Sequence, residues 1–451
     1  MPPEKDFAPP ATPAELLAPL ERFGVKLGLE RMERLLDALG APQRAGRSVL
    51  VAGTNGKGST AAFLASVLEA AGVETGLYTS PHLEEVEERV RVGGRAVAPA
   101  VLARALTRAL AASRRELGDP PTYFEAVTAA AFLCLRAADV GCSVLEVGLG
   151  GRLDATNCTD PVVSVVTGIG LDHTRELGEG LDSIAREKAG IFRAETPALI
   201  WSDRDLAGKT LAAEAARLGA RLEVVEAAVS WTPEPRGSAL DGERGRLETP
   251  TGKYDLALGL RGVHQVRNAA LAVRVAERFC EGLGRSLEPA AVESGIRSCR
   301  WPGRLELVPL PEGRRVLLDA AHNPQGIESL RGFLDRVDEP QYLLFGVLEE
   351  KDGDAMLRAL GAGFDRALLT RPPGARAREP KSLAVPSGLE TEIEPQWERA
   401  LERALEAGPG LLVVCGSIYL VGAVRSRLHE LFGRPARAVD LDVTGRSQAA
   451  S

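Results

Sequence analysis

Apolar positions along the chain fall into short unbroken runs separated by longer stretches with a helical repeat, the pattern of strands buried on both faces of a parallel sheet with helices packed over them. Residues 48–52 form the first such run, followed by a glycine-rich turn at 53–58 and a helical pattern over 59–70. Strand, glycine turn and helix in that order open a mononucleotide-binding unit. The alternation repeats, with strands at 75–79, 143–147, 162–167 and 198–201, a hairpin around Gly93-Gly94, and helices over 99–116, 124–137, 183–189 and 206–217. Ahead of the first strand, 16–39 reads as helical segments broken near Gly24 and Gly28.

Between about 221 and 260 the text changes to short alternating segments with Pro-Glu-Pro, Asp-Gly and Thr-Gly turns, which predicts antiparallel strands attached to the first domain. Helix returns at 268–281, and Pro302-Gly303 marks a linker within 299–304. A second α/β series follows, with strands at 316–318, 342–345, 366–370 and 411–415 and a last helix over 421–432. The expected organisation is a flexible tail at 1–15, a phosphate-loop α/β domain at 16–298, the linker, a smaller Rossmann-like α/β domain at 305–432, and a disordered polar tail at 433–451.

Composition agrees with two domains: 451 residues, 45% of them hydrophobic, exceed what one core accommodates. A formal net charge of -7 with both signs interspersed gives no footprint for nucleic acid. No run of apolar residues is long enough for a membrane span, and the proline-rich start lacks the apolar centre of a signal peptide. The six cysteines are widely spaced and form no C-x-x-C pair, which predicts reduced thiols in a cytoplasmic protein and no zinc site.

The chemistry begins at Gly53-Thr54-Asn55-Gly56-Lys57-Gly58-Ser59-Thr60. Between a strand and a helix, such a loop offers backbone N–H groups and a helix N-terminus to phosphate oxygens. Lys57 would reach the outer phosphates and Ser59 would offer an oxygen to Mg²⁺. The spacing is shorter than the common G-x-x-x-x-G-K-[ST] loop, and a plain glycine turn is the competing reading. Lysine is rare here, eight residues in the chain, so Lys57 is not drawn from a common surface vocabulary.

Ligands of open α/β sheets bind beyond the carboxyl ends of the strands. Four of the predicted strands lead into the phosphate loop, Ser80, Glu146 and the turn bearing His173. A carboxylate ending an apolar strand is costly unless hydrogen-bonded or near a metal, and Glu146 admits both readings. A lone histidine is more often structural than ligating, and that holds for His173 and for His82. Oxygen ligands with one imidazole suit Mg²⁺ or Mn²⁺.

At these residues the sequence resembles the folylpolyglutamate synthase and dihydrofolate synthase family of the Mur ligase superfamily. The resemblance spans about 20 to 432 and is carried by Leu27-Gly28-Leu29-Glu30-Arg31, the phosphate loop, Thr79-Ser80-Pro81-His82-Leu83, the stretch from Glu146 to Asn157, Asp172-His173 and Glu187-Lys188-Ala189-Gly190. It implies an α/β fold with a P-loop Mur-ligase-type central domain and a Rossmann-like glutamate ligase domain. It also implies metal ligands at Ser80, Glu146 and His173, and a Lys188 carbamylated to N6-carboxylysine at a second metal; unmodified, Lys188 beside Glu187 reads as a surface ion pair. Asn268, Arg304, Asp319 and His322 match the family's nucleotide contacts. Phe124, Arg152, Asp154 and Ala155 match its pterin side, with Lys351 and Asp352 near glutamate. Leu50 and Gly180 depart from the family pattern without removing a charged group.

The activity implied is ATP-dependent ligation of L-glutamate to 7,8-dihydropteroate and to reduced folates through an acyl phosphate, in a bifunctional bacterial member acting as a monomer. Two Mg²⁺ sites are expected, with Mn²⁺ and a monovalent cation also compatible. A monofunctional folylpolyglutamate synthase is the alternative. A cell-wall amino-acid ligase fits less well, since a nucleotide-sugar domain usually precedes its phosphate loop and 52 residues precede Gly53 here.

Overall fold

A computed structural model of the chain describes residues 11–24, 28–235, 237–406 and 408–433. Most of the expected tails, together with Leu27 of the first motif, lie outside the described residues. Thr12 caps a short helix, Pro13–Leu17, so ordered structure begins inside the segment read as a tail.

The first domain is built on eight strands: β1 (Arg47–Ala52), β2 (Thr75–Tyr78), β3 (Val90–Val92), β4 (Arg95–Ala96), β5 (Cys142–Glu146), β6 (Val163–Val166), β7 (Pro197–Ile200) and β8 (Arg221–Val224). Their order is β4-β3-β2-β5-β1-β6-β7-β8, parallel except for the β2-β3-β4 meander. In β1 the buried residues alternate between two cores. Val49 and Val51 meet the helices Lys57–Ala70, His264–Glu281 and Pro289–Ser298, while Leu50 and Ala52 face the side covered by Pro99–Leu117 and Tyr123–Ala137. Covering both faces explains why these strands read as unbroken apolar runs.

Residues 221–224 correct one expectation: they extend the parallel sheet as β8 instead of opening the antiparallel region. The short strand is half-buried and alternates polar with apolar residues, so alternation alone could not separate a sheet edge from a hairpin. The antiparallel sheet comprises β9 (Ser230–Pro233), β10 (Arg244–Glu248) and β11 (Lys253–Ala257), in the order β11-β10-β9. It is tied to the first domain through Glu277, which accepts hydrogen bonds from Tyr254 Oη and Thr249 Oγ1, each at 2.6 Å. Beneath it lies Arg274, fully buried, ion-paired to Glu223 at 2.7 Å and to Glu277. Arg274→Ala leaves the buried Glu277 without its cation, while Glu223 keeps Arg278 at 2.6 Å, and should cost about 3–5 kcal/mol of stability. Urea unfolding measures this, and a loss below ~1 kcal/mol would show the network to be dispensable.

The second domain has strands β12 (Glu306–Pro309), β13 (Arg315–Leu318), β14 (Gln341–Phe345), β15 (Arg366–Leu369), β16 (Thr391–Ile393) and β17 (Leu411–Cys415), ordered β12-β13-β17-β14-β15-β16. Only β12 runs antiparallel. The edge strands β12 and β16 are partly exposed and too mixed in polarity for sequence patterning to find.

The connector is clasped from both sides. Gly303 N–H donates to Glu306 (2.8 Å), Leu305 N–H to Asp319 Oδ2 (2.9 Å), and Arg425 bridges Glu306 and Glu84 at 2.9 and 2.6 Å. Among the described residues no helix is long and apolar enough to cross a membrane.

Candidate active site

The four strands that carry the sequence motifs are neighbours, β2-β5-β1-β6, and their carboxyl ends face the second domain. After β1 the chain enters the phosphate loop, where Gly53 and Gly56 adopt φ of 147° and 84°. A Cβ on Gly56 would lie 2.5 Å from Asn268 Oδ1, so the loop needs glycine there for space as well as for backbone freedom. The helix starts at Lys57, two residues earlier than the apolar pattern predicted, which brings its first free N–H groups into the loop. Lys57 Nζ lies across the loop, donating to the carbonyls of Gly53 (3.0 Å) and Thr54 (3.1 Å). Burial lowers its pKa, opposed by the negative charge of Glu146 and Asp172.

Supports surround this loop. Thr54 N–H donates to Gly168 O at 2.7 Å and its hydroxyl bonds the backbone of Gly170. Gln265 links Ser59 Oγ (3.4 Å) to Asn268 (2.9 Å). Thr60 Oγ1 is buried without a partner. Trp301 of the connector packs on Gly58, and Arg304 lines the same small cleft as Ser80 and Glu146.

Glu146, at the end of β5, is buried and accepts one backbone hydrogen bond, from Ser80 N–H at 3.1 Å. Burial raises its pKa and Lys57 works against that rise. A buried carboxylate with one neutral donor and a cation nearby retains capacity for a metal or a water held by one. His173 is exposed, starts the short helix Thr174–Leu177 in a left-handed conformation (φ 50°), and is electrostatically coupled to Asp172, Lys351 and Lys57. Among the described residues no three His, Cys, Asp or Glu side chains form a ready metal cluster. The donors present, a serine, one carboxylate and one imidazole beside a phosphate loop, fit a hard divalent cation that takes its remaining ligands from phosphate and water.

Lys188 corrects the surface ion-pair reading. Glu187 points outward to Arg152, at 2.8 Å, whereas Lys188 is buried and makes no hydrogen bond among the described residues. Burial and the charge of Lys57 bring its pKa down to about 7. Gly151 makes this possible: a Cβ there would lie 2.6 Å from Glu187 O.

Of the pterin-side residues, Phe124 packs on Gly148 and on the Tyr78 ring, with centroids 6.3 Å apart. Asp154 is turned into its own loop, accepting from Leu149 N–H (2.9 Å) and from Thr156 N–H and Oγ1 (3.0 and 2.6 Å), so it shapes the turn that holds the buried Ala155. From the second domain, buried Asp319 holds Leu305 and Ala321 N–H groups, and His322 Nδ1 lies 2.9 Å from Ala320 O. Burial brings His322 down to about 4, so it is neutral at physiological pH. Asp352 is exposed and caps the helix Gly353–Leu360. Lys351 instead crosses to the first domain, where it pairs with Asp172 at 2.7 Å.

Sequence reasoning gave no role to Asp172 or Gln325, and to Asn323 none beyond a helix cap, which it does provide by accepting from Gly326 N–H at 2.8 Å. The structure joins them: Asn323 bonds Asp172 (3.2 Å) and Asn55 (3.1 Å), and Asn55 donates to Gln325 at 2.8 Å. Asp172 and Asn323 lay inside motifs already singled out, but pairing across two sheets leaves no local signal.

The chain matches the Mur ligase middle domain over residues 51–276 and the Mur ligase glutamate ligase domain over 303–418. It is 35% identical to the folylpolyglutamate synthase of Lacticaseibacillus casei, covering 88% of this chain and 94% of that one. The chain belongs to the folylpolyglutamate synthase/dihydrofolate synthase family of Mur ligases. Members of this family are ATP-dependent ligases that form amide bonds, and the chain is an enzyme of that class.

Another family relative, the dihydrofolate synthase/folylpolyglutamate synthase of Escherichia coli, is 36% identical over 89% of this chain and 91% of its own. The chain spans 49% of a Haloferax volcanii protein named a probable bifunctional folylpolyglutamate synthase/dihydropteroate synthase. Solved family structures superpose closely. Escherichia coli FolC in complex with DHPP and ADP gives a TM-score of 0.83 at 32% identity over 93% of this chain and 98% of that one. Mycobacterium tuberculosis folylpolyglutamate synthase complexed with ADP gives 0.84 at 31% over 94% and 100%. A bifunctional family structure with Mn, AMPPNP and L-glutamate bound gives 0.80 at 31% over 93% and 98%.

Proposed function

We propose that this enzyme ligates L-glutamate to 7,8-dihydropteroate and to reduced folates, with ATP and a divalent cation as cofactors, as a cytoplasmic monomer. The observation that carries the reading is the convergence of the phosphate loop, Ser80, Glu146 and the Asp172-His173 turn at the ends of four adjacent strands, opposite a second domain that reaches them. Complexes of family structures with ADP, with DHPP, and with Mn, AMPPNP and L-glutamate support the ligand set. The six free cysteines, five of them buried, support a reducing compartment.

In this reading Lys57 and the first N–H groups of its helix hold the triphosphate, and Asn268, Arg304, Asp319 and His322 complete the nucleotide site. Ser80, Glu146 and His173 hold Mg²⁺ or Mn²⁺, with Ser59 beside the phosphates and a Lys188 carbamate at a second cation. When bound, the cations neutralise phosphate oxygen charge. The substrate carboxylate oxygen attacks the γ-phosphorus, the bond to the ADP oxygen breaks, and an acyl phosphate forms. The neutral glutamate amine then adds to the activated carbonyl, loses a proton, and phosphate leaves with the bonding pair. Closure of the two domains keeps water from the acyl phosphate.

Phe124, partly buried beside Gly148, is the aromatic on which a pterin would stack in the bifunctional reading. The L. casei relative, named only as a folylpolyglutamate synthase, favours the monofunctional one. Mass spectrometry of parallel reactions with dihydropteroate and tetrahydrofolate separates them. Dihydrofolate from the first and a glutamate-extended folate from the second are expected. Extension of tetrahydrofolate alone would leave a monofunctional enzyme, and no ADP in either reaction would end the proposal.

A further inference from the structure

Beyond the ligase reading, on which it rests, we propose that Asp172 is a positioning residue whose carboxylate docks the second domain onto the phosphate loop through Lys351 and Asn323. The segment leading to it is tied to the loop: Thr54 N–H donates to Gly168 O at 2.7 Å, and Thr54 Oγ1 accepts from Gly170 N–H at 3.0 Å. Asp172 follows two residues after this tethered segment, on the first domain's side of the crevice. Opposite it, Lys351 Nζ pairs with Oδ1 at 2.7 Å, and Asn323 Nδ2 donates to Oδ2 at 3.2 Å.

The pair differs from a surface salt bridge. The side chains of Asp172 and Lys351 are 13% and 15% exposed, and the neighbouring Asn323 continues the network to Asn55 of the phosphate loop. One carboxylate thus ties together the two segments that must meet for nucleotide and second-domain groups to act together. The connector side of the interface has its own clasp, Arg425 with Glu84 and Glu306, so the domains stay joined without Asp172. Losing Asp172 should leave folding intact while letting the crevice gape, and a small misplacement at such a site is worth orders of magnitude in rate.

The test uses Asp172→Asn, Asp172→Glu, Lys351→Met and the double variant Asp172→Asn/Lys351→Met in the full chain. Asp172→Asn should lower kcat about 10- to 100-fold with a much smaller change in KM for ATP. The double variant should fall within about twofold of the worse single one, and Asp172→Glu should recover most of the loss. Small-angle X-ray scattering with a non-hydrolysable ATP analogue should show a compact wild type and a more open Asp172→Asn. Multiplying losses in the double variant, or identical compaction of Asp172→Asn and wild type, would overturn the docking role. Wild-type protein that compacts with nucleotide yet forms no product would instead count against the ligase reading, since scattering reads docking without turnover.

Discussion

Lys57→Ala should reduce ADP formation by about 10²–10³-fold, because a preorganised charge at developing phosphate charge is usually worth that much. The effect should fall on the first chemical step, since Nζ sits over the phosphate loop, 3.0 and 3.1 Å from the Gly53 and Thr54 carbonyls. Burial lowers the pKa of this lysine, and the negative charge of Glu146 and Asp172 works against that drop. Arginine is a poor substitute: its planar fork cannot occupy the point between two loop carbonyls that a compact ammonium fills. The measurement is single-turnover ADP release with saturating substrates, alongside a melting curve. Undiminished ADP release would remove Lys57 from the phosphate site.

How far the sequence reveals this site depends on whether the signal is local. The phosphate loop is legible because each of its demands falls on consecutive residues: an apolar strand, glycines at positive φ, then a helix. Glu146 is legible for a related reason, a carboxylate closing an otherwise apolar strand. The two sheets were legible through their buried strands, and the misses cluster at edges. β8, β12 and β16 each have one neighbour, lie partly in solvent and carry mixed residues, so neither period dominates.

Side chains that act between domains were the opposite case. Lys351 was expected near glutamate, and the structure pairs it with Asp172, 179 positions away in sequence. Asp352, its neighbour in the same motif, caps a helix in solvent. Asp154 satisfies its own turn, and Asp319 holds the connector's exit. Both carboxylates accept backbone N–H groups, an arrangement that a motif alone does not reveal.

Lys188→Ala should remove most turnover while leaving a folded enzyme, and small carboxylates such as acetate or formate should restore part of it. Removing a buried ammonium without a hydrogen-bond partner costs little stability, so the melting temperature should hold or rise. An amine carbamylates only when neutral: Nζ forms a bond to the carbon of CO₂, a proton leaves, and a carboxylate-like anion replaces the cation. Burial brings Lys188 down to about 7, so a large neutral fraction exists at physiological pH, and that fraction falls as pH drops below 7. The loop carrying Gly151 meets the Lys188 backbone closely enough to exclude bulkier residues, which holds the side chain inward while Arg152 draws Glu187 outward. Mass spectrometry under native conditions at raised bicarbonate should show a CO₂ adduct in wild type and none in the variant. Activity in CO₂-stripped buffer should fall and return on adding bicarbonate. Full turnover of Lys188→Ala would show that Glu146, Ser80 and His173 suffice for the cation chemistry, leaving the lysine as a buried residue tuned to be neutral.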